Sequence, residues 1–287
     1  MKTSSWIKKN TTSLVGKKVV ISGSTGGLGR EICHHLASLG ASLILLDRNS
    51  QRSLAFADEL REKYPSLSVS HIKADMSDMD SVKEAEKKLS QIPIDYLILN
   101  AGAYSIPRCV VSTGYDNVFQ INFVSPYYLA RKLLPAIRER GGRIVAVGSI
   151  AHNYSKIDEN DIDFKTRNKA SLVYGNAKRY LTYSLLAMSH GDCIVAHPGI
   201  SFTGITNHYP PLIFALIKHP MKIIFMKPKR ASLSIVKALF ADCEKNSWIG
   251  PCLFDVWGLP RVKKLNTANP PERKIIVDTA ERIYGGL

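Results

Sequence analysis

A chain of 287 residues with 45% hydrophobic and 22% charged side chains can bury a sizeable core, and it has no low-complexity tract that would leave an arm unfolded. Its 39 Lys and Arg against 24 Asp and Glu leave a charge of +15, which favours anionic partners; because the basic residues fall in short pairs such as Lys17-Lys18 and Lys87-Lys88, a solvated surface explains them better than nucleic-acid binding does. Five cysteines, odd in number and without zinc-site spacing, argue against a disulfide framework and a metal centre and for reduced thiols inside the cell.

No apolar signal segment precedes Val19, and the longest uncharged stretch, 193–217, is broken by Pro198, Gly199, Gly204, Pro210 and Pro211, so a cytoplasmic protein is expected. From residue 17 to 199, β-branched runs alternate with amphipathic segments, the pattern of repeated βαβ units. Strands are predicted at 19–23, 42–47, 69–75, 95–102, 143–149 and 193–199, and their near-continuous apolar character implies a parallel sheet buried on both faces. Between the first two strands, Ile32, Leu36 and Leu39 share one helical face ahead of a glycine stop at Gly40. Prolines then interrupt an apolar, lysine-containing stretch at 204–230, which reads as a substrate-binding lid insertion. A helix at 231–240, a seventh strand at 253–257 and a polar C-terminal helix complete one α/β domain over 1–287, a Rossmann-type doubly wound parallel sheet of about seven strands.

Gly23, Gly27 and Gly29 in SGSTGGLG, with Ser24, Thr25 and Leu28 between them, sit where the first strand turns into a helix. A glycine turn there lets a dinucleotide pyrophosphate approach the backbone and the helix N-terminus. Asp47 ends the second strand, where a carboxylate can bind both ribose hydroxyls of the adenosine half. A 2′-phosphate about 4 Å away would meet roughly 4 kcal/mol of repulsion at an effective dielectric near 20. NAD is therefore favoured, with NADP the alternative because Arg48 could turn inward and pair with a phosphate. Asp75, followed by Met76, ends the third strand and Asn100-Ala101-Gly102 the fourth, all at the carboxyl edge where open α/β sheets bind ligands, although ordinary turns use the same residue types.

Tyr174 and Lys178 are one helical turn apart and can face one cleft. Moving a phenol's pKa by about 3 units takes roughly 4 kcal/mol, which a neighbouring ammonium and a cationic nicotinamide ring can supply. Tyr128 and Lys132 share the spacing, but they lie in a packing helix with no hydroxyl-bearing strand end before it. Ser149 ends the fifth strand, and its hydroxyl can bond a substrate carbonyl or alkoxide, or else cap the next turn. His152, His197 and His208 read as surface or structural groups and are given no role.

Taken in order, SGSTGGLG, AD at 74–75, NAG at 100–102, Asn122 in VFQINFVSP, Ser149 in VAVGS, YGNAK at 174–178 and PGISFT at 198–203 resemble the short-chain dehydrogenase/reductase family over residues 17–203. The resemblance implies a catalytic tetrad of Asn122, Ser149, Tyr174 and Lys178. In it Tyr174 exchanges the proton, Ser149 orients the carbonyl, Lys178 holds the nicotinamide ribose and lowers the Tyr174 pKa, and Asn122 supports a water-linked relay. It also implies that Asp75 and Met76 lie near adenine, that Asn100, Ala101 and Gly102 lie beside the cofactor ribose, and that Pro198, Gly199, Ile200 and Thr203 lie near the carboxamide. Ser22 stands where threonine is usual and keeps the hydroxyl.

SIAHNYSKI and the apolar LIFALIKHP are similar to the retinol-dehydrogenase-like and WW-domain-oxidoreductase-like branch. This implies an NAD(P)-dependent enzyme acting on a lipophilic alcohol or carbonyl, the alternative being a non-catalytic nicotinamide-binding sensor or scaffold. Residues 211–230 offer a weak peripheral contact with an anionic membrane. The short stretch from Lys178 to Pro198 implies an abbreviated helix after Tyr174, which leaves dimerisation through the family's four-helix interface, and so the oligomeric state, undecided.

Overall fold

The computed structural model describes residues 2–199 and 226–287. Seven strands run parallel: Lys18–Ser22 (β1), Ser42–Asp47 (β2), Val69–Lys73 (β3), Tyr96–Leu99 (β4), Arg143–Val147 (β5), Cys193–Ala196 (β6) and Ser247–Leu253 (β7). An eighth, Trp257–Lys264 (β8), returns antiparallel to β7, and the sheet order is β3-β2-β1-β4-β5-β6-β7-β8. Because the winding reverses between β1 and β4, the loops at their carboxyl ends part and leave a crevice.

Alternation along each strand decides which core it joins. Val20, Ile44, Leu97 and Ile144 point to one face, covered by Met79–Leu89 (α4), Ser125–Glu139 (α6) and Ala170–Met188 (α7). Val19, Ile21, Leu43 and Val145 point to the other, covered by Gly27–Ser38 (α2), Ser50–Lys63 (α3) and Leu233–Ala238 (α9). Each such fully buried aliphatic side chain contributes about 1.5–3 kcal/mol, and both faces are filled this way. Helix α2 ends in a Schellman motif: Gly40 at φ +87° turns the chain, and the amide of Ala41 donates to Leu36 O at 3.1 Å. The C-terminal helix Pro270–Gly285 (α10) lies against α6 and α7, burying Ile276, Ala280 and Ile283.

Three expectations are corrected. The seventh strand is not 253–257: that stretch is the tip of the β7–β8 hairpin, where Phe254 and Asp255 take φ of 51° and 57°, so the sheet has eight strands. The helix at 231–240 is two short pieces, Pro228–Ala231 (α8) and α9. The helix after Tyr174 is not abbreviated, since α7 has 19 residues and the economy lies in the connection to β6. An unforeseen N-terminal helix, Thr3–Asn10 (α1), packs Trp6 and Ile7 on Leu233 and Val236. Residues 204–225 of the expected lid, and 211–225 of the expected membrane contact, lie outside the described residues. Among the described residues no helix is long and apolar enough to cross a membrane. All five cysteines are free thiols.

Candidate active site

Apart from β2, which matches at 42–47, the first six predicted strands overrun the observed ones at their carboxyl ends, where the chain leaves the ladder to build the site. Gly23, at φ +67°, would place a Cβ 2.9 Å from Ala101 Cα, and a Cβ on Gly29 would lie 2.2 Å from Gly23 O, so α2 rests directly on the turn. At Gly27 the reverse holds: nothing lies within 4 Å, which leaves open space above the first turn of α2. The helix is capped by Gly26 with no side-chain acceptor, so its first N–H groups remain available to an anion. Ser24, Thr25 and Leu28 complete the loop. The Ser22 hydroxyl accepts the amides of Asn100 and Ala101, both at 3.0 Å, while Asn100 Nδ2 donates to Ser22 O and Gly23 O at 2.9 Å. β4 and the glycine loop are thereby fixed to each other. This cradle, open where Gly27 lacks a side chain, fits a dinucleotide pyrophosphate.

Asp47 is 5% exposed and turned toward that loop. Its Oδ2 accepts the Ser24 hydroxyl at 2.5 Å and the Ser53 hydroxyl at 2.8 Å, while among the described residues Oδ1 accepts only the Thr25 amide at 3.5 Å. The carboxylate therefore stands at the glycine loop with one oxygen lightly used. Arg48 beside it is exposed and makes no ion pair among the described residues. Asp75 is in a local turn, its Oδ1 accepting the Ser77 amide at 2.9 Å and the Ser77 hydroxyl at 2.6 Å, and the carbonyl of buried Met76 accepts the Ser125 hydroxyl at 2.7 Å.

Ser149 begins a 3-10 turn, Ile150–Asn153, its Oγ accepting the Ala151 amide at 3.2 Å. That turn packs on α7 at Gly175, where a Cβ would sit 2.3 Å from Ala151 O; only glycine lets the two backbones approach so closely. The contact brings Ser149 to Tyr174. Burial pushes the Tyr174 phenol up to about 12, opposed by its hydrogen bond with the Ser149 side chain. Tyr104, which no motif flagged, meets the Tyr174 ring edge-on at 5.3 Å between centroids. Lys178 is 2% exposed; its Nζ donates to Val147 O at 2.9 Å and lies 5.6 Å from the Tyr174 ring centre, and burial lowers its pKa to about 8.

Asn122 lies in a π-helical turn, Gln120–Val124, between Asn117–Phe119 (α5) and α6. Its Nδ2 donates to Val118 O and Ala103 O at 2.8 Å. A Cβ on Gly102 would lie 2.8 Å from Asn122 Oδ1 and 3.6 Å from Lys178 Nζ, so NAG, Asn122 and Lys178 converge on one spot. At the far side, Pro198 is half-buried and Gly199, at φ +81°, is hemmed in by Val256 O and Pro251. Ile200 and Thr203 lie outside the described residues.

A doubly wound sheet with a glycine cradle and a Ser-Tyr-Lys cluster gathered at its carboxyl edge has the architecture of a nucleotide-binding α/β protein. Residues 17–159 match the family model of the short chain dehydrogenases. The chain is 26% identical over 204 residues to polyprenol dehydrogenase of Homo sapiens, covering 66% of this chain and 62% of that protein. It is 30% identical over 202 residues to retinol dehydrogenase 12 of Mus musculus, covering 67% and 64%. The similarity thus spans less than two thirds of either relative. A solved structure of a protein from Mycobacterium paratuberculosis has the same fold, with a TM-score of 0.75 at 21% identity over 96% of both chains. The chain belongs to the short-chain dehydrogenase/reductase family, with relatives in its retinol-dehydrogenase-like branch.

Proposed function

We propose that this chain interconverts a lipophilic alcohol and its carbonyl, with Tyr174 exchanging the proton. One observation carries the reading: the Ser149 hydroxyl, the Tyr174 phenol and the Lys178 ammonium, drawn from a strand end and a helix, meet beside the glycine cradle. Nicotinamide bound there supplies the hydride acceptor or donor. Ser149 holds the substrate oxygen, and Tyr174 gives that oxygen a proton in reduction or takes one in oxidation. With its pKa raised, Tyr174 enters as an acid, the form reduction needs. Lys178, anchored on Val147 O, holds a ribose hydroxyl and favours the phenolate electrostatically. Asn122 fixes the Ala103 backbone beside Gly102 and joins the group as its fourth member.

A lipophilic substrate is supported by the likeness to retinol and polyprenol dehydrogenases. A preference for NAD is supported by the Asp47 carboxylate at the glycine loop, where a 2′-phosphate would meet a like charge. Turnover of a panel of long-chain aldehydes and ketones with NADH and NADPH tests the reading. Tyr174→Phe should lose about 10²–10⁴-fold in kcat while binding cofactor as before; full activity in that variant overturns the role. Tighter NADPH than NADH binding, abolished by Arg48→Ala, would replace the NAD preference with an arginine-held phosphate.

A further inference from the structure

His152 follows Ser149 by one short turn, is fully buried, and has both ring nitrogens engaged. Nδ1 lies 2.6 Å from the Ser149 carbonyl oxygen and Nε2 2.9 Å from Thr267 Oγ1. A carbonyl only accepts, so Nδ1 carries a proton. The Tyr183 hydroxyl lies 2.5 Å from Thr267 Oγ1 and accepts the Thr267 amide at 3.2 Å. If Tyr183 donates to Thr267, the Thr267 hydrogen points at Nε2, and the chain Tyr183 to Thr267 to His152 to Ser149 has one donor for every acceptor. A proton on Nε2 would make Thr267 Oγ1 its acceptor and leave one hydroxyl hydrogen, that of Thr267 or of Tyr183, without a partner among the described residues. Burial also holds His152 below the usual imidazole range.

Around this relay Arg179, the residue after Lys178, clamps the main chain. It donates to His152 O at 2.8 Å and Thr267 O at 2.6 Å, and pairs with Glu272 of α10 at 2.7 Å. Without the imidazole, the Ser149 carbonyl would keep, among the described residues, only the His152 amide at 3.2 Å.

We propose that His152 is a positioning residue: as its Nδ1–H tautomer, held by Thr267 from the C-terminal segment, it fixes the Ser149 carbonyl and with it the aim of the Ser149 hydroxyl at Tyr174. The proposal rests on the reading that Ser149 and Tyr174 act on a carbonyl. His152→Ala should lower kcat by about 100-fold, the scale of a misplacement of about 1 Å, with the Kd for NADH unchanged. His152→Asn, whose amide N–H can occupy the Nδ1 position, should regain most of that loss. His152→Gln, whose N–H falls at the Nε2 position, should not, although both variants melt at similar temperatures. Thr267→Val should give a smaller loss in the same direction if the alanine variant does not fold.

Nitrogen-15 imidazole spectra of the wild type at neutral pH should show the Nδ1–H tautomer whether or not a substrate is in hand. Equal kcat loss in Asn and Gln variants, or an Nε2–H or doubly protonated ring, overturns the proposal. If no carbonyl is turned over, the functional reading falls by itself. A crystal structure of His152→Ala then still decides, since Ser149 Oγ unmoved from Tyr174 refutes the positioning role and Oγ displaced from it supports it.

Discussion

The Lys178 ammonium donates to the Val147 carbonyl at 2.9 Å, tying the helix that carries Tyr174 to the strand that ends just before Ser149. The bond fixes the geometry of the site, and it does so by holding a cation in a place that penalises charge. Burial brings the Lys178 pKa from 10.5 to about 8, so below pH 8 the folded state carries the full cost, about 3 kcal/mol, and between pH 8 and 10.5 the cost falls as the folded state alone loses its proton. Lys178→Met should therefore abolish turnover yet raise the melting temperature at pH 7, by about 1–3 kcal/mol of stability once the lost hydrogen bond is deducted. Thermal scans of both proteins at pH 7 and pH 10 check this: the gap should narrow at the higher pH.

Tyr174 should behave as an unusually weak acid in the free protein. Its pKa is pushed up to about 12 against a usual 10, so an ultraviolet difference titration of wild type against Tyr174→Phe should show no tyrosinate from this residue up to about pH 11. Ser149→Ala removes the one hydrogen bond that lowers it and should delay ionisation further. Adding NAD should reveal a tyrosinate at lower pH. A titration indifferent to cofactor would remove the electrostatic part of the mechanism.

The two glycines of the cofactor turn should separate folding from binding. Gly27→Ala meets no atom within 4 Å and sits at the start of a helix, so the melting temperature should hold or rise, by up to about 1 kcal/mol, while the Kd for NADH weakens because the methyl fills the space for the pyrophosphate. Gly29→Ala drives a methyl into Gly23 O and should lose both stability and binding. Isothermal titration with thermal scanning distinguishes the pair.

Two ion pairs on α10 should differ in worth. Arg179 and Glu272 have 3% and 17% of their side chains exposed, so Glu272→Ala leaves a buried guanidinium unpaired and should cost about 3 kcal/mol. The Arg131–Glu281 pair is 28% and 45% exposed, and Glu281→Ala should cost under about 1 kcal/mol. Urea unfolding of the two variants measures the contrast.

Much of this site is readable one motif at a time, and the misreadings have definite causes. The glycine turn, the strand ends at Asp47, Asp75 and Asn100, and the Tyr174–Lys178 spacing are local patterns, and each falls at the carboxyl edge of the sheet. Asp75 shows the limit, because its carboxylate is in the turn chemistry that its type equally suggests. The hairpin of β7 and β8 escaped because the apolar Leu253, Phe254 and Trp257 cluster where β7 ends and β8 begins; these are exposed, so hydrophobicity pointed to the wrong residues. His152 reads as a structural group in the sequence, and the structure hydrogen-bonds both its ring nitrogens; its partner there was not legible because Thr267 lies 115 residues away.

Strand and helix placement follows from backbone repeat and side-chain burial, both of which act over a few residues, so the amino-acid order alone set the parallel sheet and its sequence of motifs. Which side of Asp47 meets the glycine loop, how closely Gly175 lets the Ser149 turn approach α7, and which histidine holds that turn were decided only when distant segments packed. Such contacts depend on the closure of long loops and the fit of whole surfaces, and no short window of sequence contains either.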